Sequence, residues 1–362
     1  MAAHDYLVSV SRNRYAVPVS PIGLSACSGR DALPRTPAAN PETQLRNRSV
    51  RICVVVPTLN RVADLRRCLA ALARQTRAAD QVVVVVHDSD TATRQTLTDW
   101  REAGQWVIAT VRSRGLPAAL NAGLEAADGD VICFTDDDAE PWPDWLERIE
   151  VHYHDPSVGA VGGRDVLVNE PVAHHGRCAV VGKVFWYGRY VGNHHLQLQS
   201  SRPANVDTLK GVNMSYRATA LGGFRFDERL CVVGGSCTEL DAGFFLRRGG
   251  WRLVYDPEIG VNHHHSERTW GVPRSDPEIC YDFAHNYTYV VLKYVSWPRK
   301  LVALAYFVLV GQRRAWGLLA ALGDSVLTGK LRWGGELGPT VRGRIAGVRS
   351  YLASRRASPS DR

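Results

Sequence analysis

A run of apolar, mostly β-branched residues, Ile52-Cys53-Val54-Val55-Val56, closed by Pro57, constrains this chain more than any other feature. Five consecutive apolar positions leave no polar face for water, so the strand they predict is buried on both sides, as in a parallel sheet covered by helices. Asn60 is then placed to cap a helix in which Leu65, Leu69 and Leu72 recur at three- and four-residue spacing, ending near Gln75. Val82–Val86, Trp106–Val111 and Val131–Phe134 repeat the strand pattern, and Leu116, Leu120 and Leu124 mark a second amphipathic helix. Strands alternating with helices predict an α/β fold with a mostly parallel central sheet flanked by helices.

In such sheets ligands gather beyond the carboxyl ends of the strands, which directs attention to the polar residues found there. They are Thr58 and Asn60 after the first strand, Asp88 and Asp90 after the second, and Asp136-Asp137-Asp138 after the fourth. Three adjacent carboxylates repel one another unless a cation is bound, and hard oxygen ligands suit Mg²⁺ or Mn²⁺. The plain alternative is an acidic turn in which Asp138 caps the next helix. A second acidic pair, Glu239 and Asp241, opens a helix running to about Arg248 and stopped by Gly249-Gly250. Thr238-x-x-Asp241 also reads as a capping box, while Glu239 is the stronger candidate for a base. Arg252–Tyr255 reads as a short strand ended by a turn at Asp256-Pro257. The histidines of His263-His264-His265 and His194-His195 lack the spacing that gathers several ligands on one zinc ion.

The order in which these pieces occur resembles family 2 glycosyltransferases. The pieces are Val54 to Arg61, Gln75-Thr76, Asp88, Asn121-Ala122-Gly123, Gly129-Asp130-Val131-Ile132, Asp136-Asp137-Asp138, Gly211-Val212-Asn213-Met214, Gly222-Gly223-Phe224, Glu239, Arg247-Arg248 and His263, over about residues 51–270. Gly192-Asn193-His194-His195 and the Leu209-Lys210-Gly211-Val212-Asn213-Met214 phrase are similar to one bacterial branch of that family. The resemblance implies a GT-A fold and inverting transfer of a sugar from a nucleotide-sugar to an acceptor hydroxyl, in cell-surface glycan or glycolipid synthesis. It places Pro57, Thr58, Asn60, Asp88, Asn121, Asp136 and Asp137 against the donor, with Asp88 facing the base. It makes Asp136 and Asp138 the Asp-x-Asp pair, puts His263 near the metal and diphosphate, and makes Glu239 the base; Asp241 is carried beside it as a second catalytic candidate. Many members have Glu-Asp where this chain has Thr238-Glu239.

Rival classes fit less well. A dinucleotide-dependent dehydrogenase needs Gly-x-Gly-x-x-Gly where this chain has Pro57-Thr58-Leu59-Asn60, and an enzyme making nucleotide-sugars needs a glycine-rich basic loop there. Transfer to a polyprenyl phosphate and a non-catalytic sugar-nucleotide-binding protein remain as alternatives.

The net charge of +8 is unevenly distributed: residues 299–362 carry twelve Lys or Arg against three acids, a net of +9. Two apolar stretches, Leu301–Val310 and Ala315–Leu327, flank Gln312-Arg313-Arg314, each shorter than the about 20 residues of a membrane span. A basic, apolar end suits an anionic membrane surface better than nucleic acid, or else packs on the catalytic domain as ordinary core helices. Eight cysteines without a CxxC pair favour a reducing compartment. The expected organisation is a largely disordered leader (1–50), a catalytic domain (51–280) and a helical, basic, membrane-associating region (281–362). The protein is expected in the cytoplasm at the inner membrane face, meeting a nucleotide-sugar donor and a glycan or lipid-linked acceptor.

Overall fold

In the computed structural model, residues 50–100, 106–168, 176–230, 236–264, 276–312, 315–328 and 336–356 are described. The leader (1–49), His265 and Arg313-Arg314 lie outside these residues. The chain opens with β1 (Ile52–Thr58), α1 (Val62–Ala73), β2 (Gln81–His87), α2 (Thr91–Asp99), β3 (Trp106–Val111), α3 (Leu116–Ala126) and β4 (Val131–Phe134). There follow β5 (Ala139–Pro141), α4 (Trp145–His152), β6 (Val158–Leu167), β7 (Ala204–Asn205), β8 (Met214–Arg217), α5 (Thr238–Arg248) and β9 (Arg252–His263). Four helices close the described chain: α6 (Asp276–Tyr294), α7 (Trp297–Leu309), α8 (Leu318–Thr328) and α9 (Gly338–Arg356).

The nine strands form one sheet in the order β7-β9-β6-β8-β4-β1-β2-β3, with β5 paired to β9. β1, β2, β3 and β4 are parallel; β8 runs antiparallel between β4 and β6; and β9 is parallel to β6. β1, β2, β3, β4, β6 and β9 therefore all point the same way, and their carboxyl ends share one rim. Alternate residues of β1 supply two cores, as a strand buried on both faces must. Cys53 and Val55 pack with Val83, Val85 and the alanines of α3, whereas Ile52, Val54 and Val56 pack with Leu65, Leu69 and Leu72 of α1 and with Trp145 and Ile149 of α4. Gly123 lets α3 sit close: a Cβ there would lie 2.2 Å from Val55 Cγ1.

Several sequence expectations are corrected. Pro57 does not end β1 but continues it, paired with Val85, because β4 accompanies β1 only as far as Val55 and leaves that side without a ladder needing its N–H. Asn60 is not the helix cap; it takes a left-handed backbone (φ 54°) one residue before the true cap position, Arg61. Asp256-Pro257 is not a turn but a bulge within a twelve-residue strand, where Asp256 pairs with Gly163 and Gly260 with Arg164. Asn213 pins that bulge, its amide donating to the carbonyls of Ile259 and Arg164 at 3.1 Å each. The expected boundary at residue 280 falls inside α6, whose Asn286 and Tyr287 donate to Leu230 O and Gly188 O of the sheet-bearing part. The six described cysteines, Cys53, Cys68, Cys133, Cys178, Cys237 and Cys280, are buried thiols.

Candidate active site

β4 ends at Phe134, and the next four residues turn along the rim. Thr135 hangs the turn from Val212 O (2.9 Å), so Asp136-Asp137-Asp138 face the turn 210–213 that precedes β8. Asp137 points back to the end of β1, accepting from the Thr58 hydroxyl at 2.7 Å and from Arg61 Nη1 at 2.8 Å. Arg61 also reaches Asp138 Oδ2 at 3.0 Å. One guanidinium thus offsets two carboxylates and fixes the turn to α1, and Asp138 does not cap the following helix, whose cap position is Asp144.

Asp136, Asp138 and His263 present ligand atoms within 4.8 Å of one another, the one such group with metal-binding geometry among the described residues. His263 Nε2 lies 3.3 Å from Asp138 Oδ1, while Nδ1 bonds Asp165 Oδ1 of β6 at 2.9 Å. Burial and the charge of Asp138 push Asp136 up to about 6, against His263 and Lys210. Burial pushes Asp137 up to about 7, against Arg61 and the Thr58 hydroxyl. Burial works against the His263 imidazolium, yet its bonds to Asp138 and Asp165 outweigh it and hold the ring protonated up to about 10. A half-buried carboxylate (Asp136), a buried one (Asp138), an imidazole and an orienting acid behind the imidazole form a donor set that fits Mg²⁺ or Mn²⁺.

The other expected site residues divide into two groups. Pro57, Thr58, Asn60 and Asp88 stand on the same rim, where Asp90 ties two loops together by accepting from Asn60 N–H and capping α2 at Thr93 N–H. Asn121 does not face this rim: its amide exchanges two hydrogen bonds with the backbone of Phe226, at 2.8 and 2.9 Å, joining α3 to the segment before α5. Glu239 is half-buried in the first turn of α5 with Thr238 Oγ1 3.2 Å from its carboxylate. Asp241 is fully buried and held by Lys293 Nζ of α6 at 2.9 and 3.2 Å, so the capping-box reading fails; the cap position is Cys237, with no side-chain hydrogen bond.

Sequence reasoning gave no role to Arg61, Asp165 or Lys210, although Arg61 and Lys210 stand in phrases it singled out. Lys210 stands in the turn 210–213, closed by Asn213 N–H to Lys210 O at 2.8 Å, and its charge acts on Asp136, His194 and Cys237. Its charge thus acts both on the acidic turn and beside the start of the Glu239 helix. His194 is a structural histidine: buried, 3.2 Å from Thr208 O, and pushed down to about 4 by burial and Lys210.

A family model described as glycosyl transferase family 2 matches residues 53–214, the stretch from β1 through the acidic turn to the first residue of β8. Over these residues, less than half of the chain, the sequence is similar to glycosyltransferase family 2. The pre-mycofactocin glycosyltransferase of Mycobacterium tuberculosis is 30% identical over 220 residues, 59% of this chain and 43% of that relative. The glucosyl-dolichyl phosphate glucuronosyltransferase of Haloferax volcanii is 27% identical over 242 residues, 62% of this chain and 74% of that one. This chain thus spans less than half the length of its mycobacterial relative. Among solved structures, GalNAc-T7, crystallised with UDP, GalNAc and Mn²⁺, superposes with a TM-score of 0.57 over 79% of this chain and 56% of its own at 15% identity, which shows a GT-A fold. The family match ends before Glu239, Asp241 and His263, and of these three the structure brings His263 to the acidic turn.

Proposed function

We propose that this protein is an inverting glycosyltransferase that moves a sugar from a nucleoside diphosphate sugar to an acceptor hydroxyl in glycan or glycolipid synthesis. The observation that carries this reading is the convergence of Asp136, Asp138 and His263 on the sheet rim that also bears Thr58, Asn60 and Asp88. Asp136, Asp138 and His263 would hold a divalent ion, which supplies charge neutralisation for the departing diphosphate. Lys210 adds a fixed positive charge on the same side. Asn60 and Asp88 offer polar groups to the nucleoside. Glu239 takes the proton of the acceptor hydroxyl, whose oxygen attacks the anomeric carbon on the face opposite the diphosphate, so configuration inverts and no covalent enzyme intermediate forms.

The test is a panel of nucleotide-sugars with Mn²⁺ or Mg²⁺, scored for nucleoside diphosphate release. Excess EDTA and Asp138→Ala should each abolish release. Glu239→Gln should lower turnover by roughly 10²–10⁴-fold with donor binding nearly unchanged. Full activity in EDTA would sink the proposal.

The place of action we infer is the inner face of the cytoplasmic membrane, held peripherally. The motive is an exposed apolar surface on α7 and α8, including Trp297, Leu301, Val308, Leu319 and Leu322, beside a chain end with a net charge of +9. No described helix is long and apolar enough to cross a membrane.

A further inference from the structure

Between the start of α5 and α7 lies a hairpin in which Lys183-Val184 pairs with Tyr190-Val191. Its two sides face different neighbours. Val184 and Tyr190 pack against the core that includes Cys237 and Leu240, the residues flanking Thr238-Glu239. Its tip, Phe185-Trp186-Tyr187-Gly188, leans on α7: Arg299 Nε donates to Trp186 O at 3.2 Å, and the Tyr187 and Tyr306 rings meet edge to face at 5.1 Å.

Beside the hairpin a cavity of about 520 Å³ opens, walled by residues 179–185 and 198–205. That volume falls within the about 300–1,000 Å³ typical of small-molecule sites. Its apolar wall is Ala179, Val180, Val181, Leu198 and Pro203, with Lys183 and Arg202 as its cations. No described lining residue is acidic, and the neighbouring Asp207 already accepts from Val184 N–H at 2.8 Å and pairs with Arg247 at 3.1 Å, so Lys183, 3.8 Å away, adds positive charge. Val180 and Phe185 on this cavity are exposed, and beyond them Trp186 (63% exposed) leads to Trp297 (69%) and Leu301 of α7. Exposed apolar side chains thus stand on the cavity wall, on the hairpin tip and on the α7 it leans against, while Val184 and Tyr190 of the hairpin pack beside the start of the Glu239 helix.

We propose that this cleft holds the hydrocarbon chain of the acceptor, an amphiphile whose chain ends in a phosphate near Lys183 and Arg202. This rests on the glycosyltransferase reading for the word acceptor and deepens it: the substrate class is a lipid-linked one. The chain lies along the apolar wall, the phosphate meets the two cations, and the portion beyond it passes the hairpin toward Glu239.

Titration calorimetry of the full chain with octyl and decyl phosphate below their aggregation concentrations reads the cleft without any donor. Each buried methylene should tighten binding about fourfold, so decyl phosphate should bind about fifteenfold more tightly than octyl phosphate. Inorganic phosphate should bind far more weakly than either. Ala179→Trp, which fills the cleft from an exposed position, should weaken decyl phosphate at least tenfold; Arg202→Glu, in an exposed loop, should weaken the phosphates but not decanol. Thermal unfolding establishes that both variants are folded. Equal decyl phosphate binding by wild type and Ala179→Trp overturns the site. With the donor found in the nucleotide-sugar panel, kcat/KM should be at least tenfold higher for octyl than for methyl glycosides, and the ratio should collapse in Ala179→Trp. A ratio near one, with cleft binding intact, makes the cleft a foothold for bilayer lipid and overturns the acceptor assignment. If no donor is turned over while decyl phosphate still binds in the cleft, the transferase reading fails and takes the acceptor assignment with it.

Discussion

His263 sits between Asp138 and Asp165 as an imidazolium, yet as a metal ligand it must give up the proton on Nε2. Its pKa of about 10 means the proton is present throughout the neutral range and is lost only as pH rises toward that value. Divalent ions should therefore bind more tightly as pH rises, each releasing a proton. At pH 8, above the values of about 6 and about 7 for Asp136 and Asp137, that proton comes from His263. Calorimetry of Mn²⁺ binding in buffers of different ionisation enthalpy should show about one proton released by wild type and none by His263→Gln. No dependence on the buffer in wild type would remove His263 from the ligand set. The two acids of α5 separate by their partners in the same way. Asp241 is spent on Lys293, so Asp241→Asn should cost about 1–3 kcal/mol of stability in denaturant unfolding while retaining turnover. If Asp241→Asn loses turnover and Glu239→Gln does not, the base lies two residues further on.

Elements were legible where their pattern is local. β3 and β4 have the bounds that their apolar runs predict, and α3 and α5 fall where their leucines and their glycine stop place them. The extension of β9 past Asp256-Pro257 was not legible, because a bulge pinned by Asn213, more than 40 residues away, overrides the local turn signal. Asp165 was hidden for a related reason: it lies inside a strand, and only the β6–β9 pairing puts it behind His263. Asn121 was legible as a motif residue but not in its use, which depends on Phe226 passing nearby. The helices at the end of the chain read as an appendage because their apolar runs do not show what they cover. α9 lies so close on α6 that a Cβ at Gly343 or Gly347 would come within 2.3 Å of Tyr281 O or 2.5 Å of His285 O. Gly347→Leu should therefore destabilise the protein by about 1–3 kcal/mol or more through overpacking, read as a lowered denaturation midpoint. Truncation near residue 298 would uncover α6, which holds Asp241 through Lys293, so it is a poor probe of membrane attachment.

For the whole molecule, attachment is better probed on the outward faces of α7 and the hairpin. Trp297→Ser with Leu301→Ser removes exposed apolar area without touching the core, and should shift protein from the membrane to the soluble fraction. The intact protein should be released in part by high salt or alkali, as expected of apolar faces in the interface with arginines on lipid phosphates. An intact protein found wholly in the soluble fraction would count against the peripheral reading, and so would one needing detergent for any release.

Because β1, β2, β3, β4, β6 and β9 point the same way, the sheet has two unlike edges. At one edge stand Thr58, Asp88, the acidic turn, Lys210 and His263. At the other are the connections before the strands start, among them Asp128–Asp130, where a Cβ on Gly129 would lie 2.9 Å from Cys53 N, and Gly249-Gly250, where Gly250 takes a left-handed backbone (φ 83°). The first edge carries the chemistry, and the second carries the connections that set where the strands start. A lineage carrying this fold can lengthen the second edge, fuse new modules to it or lose its loops without disturbing the chemistry across the sheet, so diversity in size among such chains should accumulate there, while new specificities must be written within a few residues of the acids.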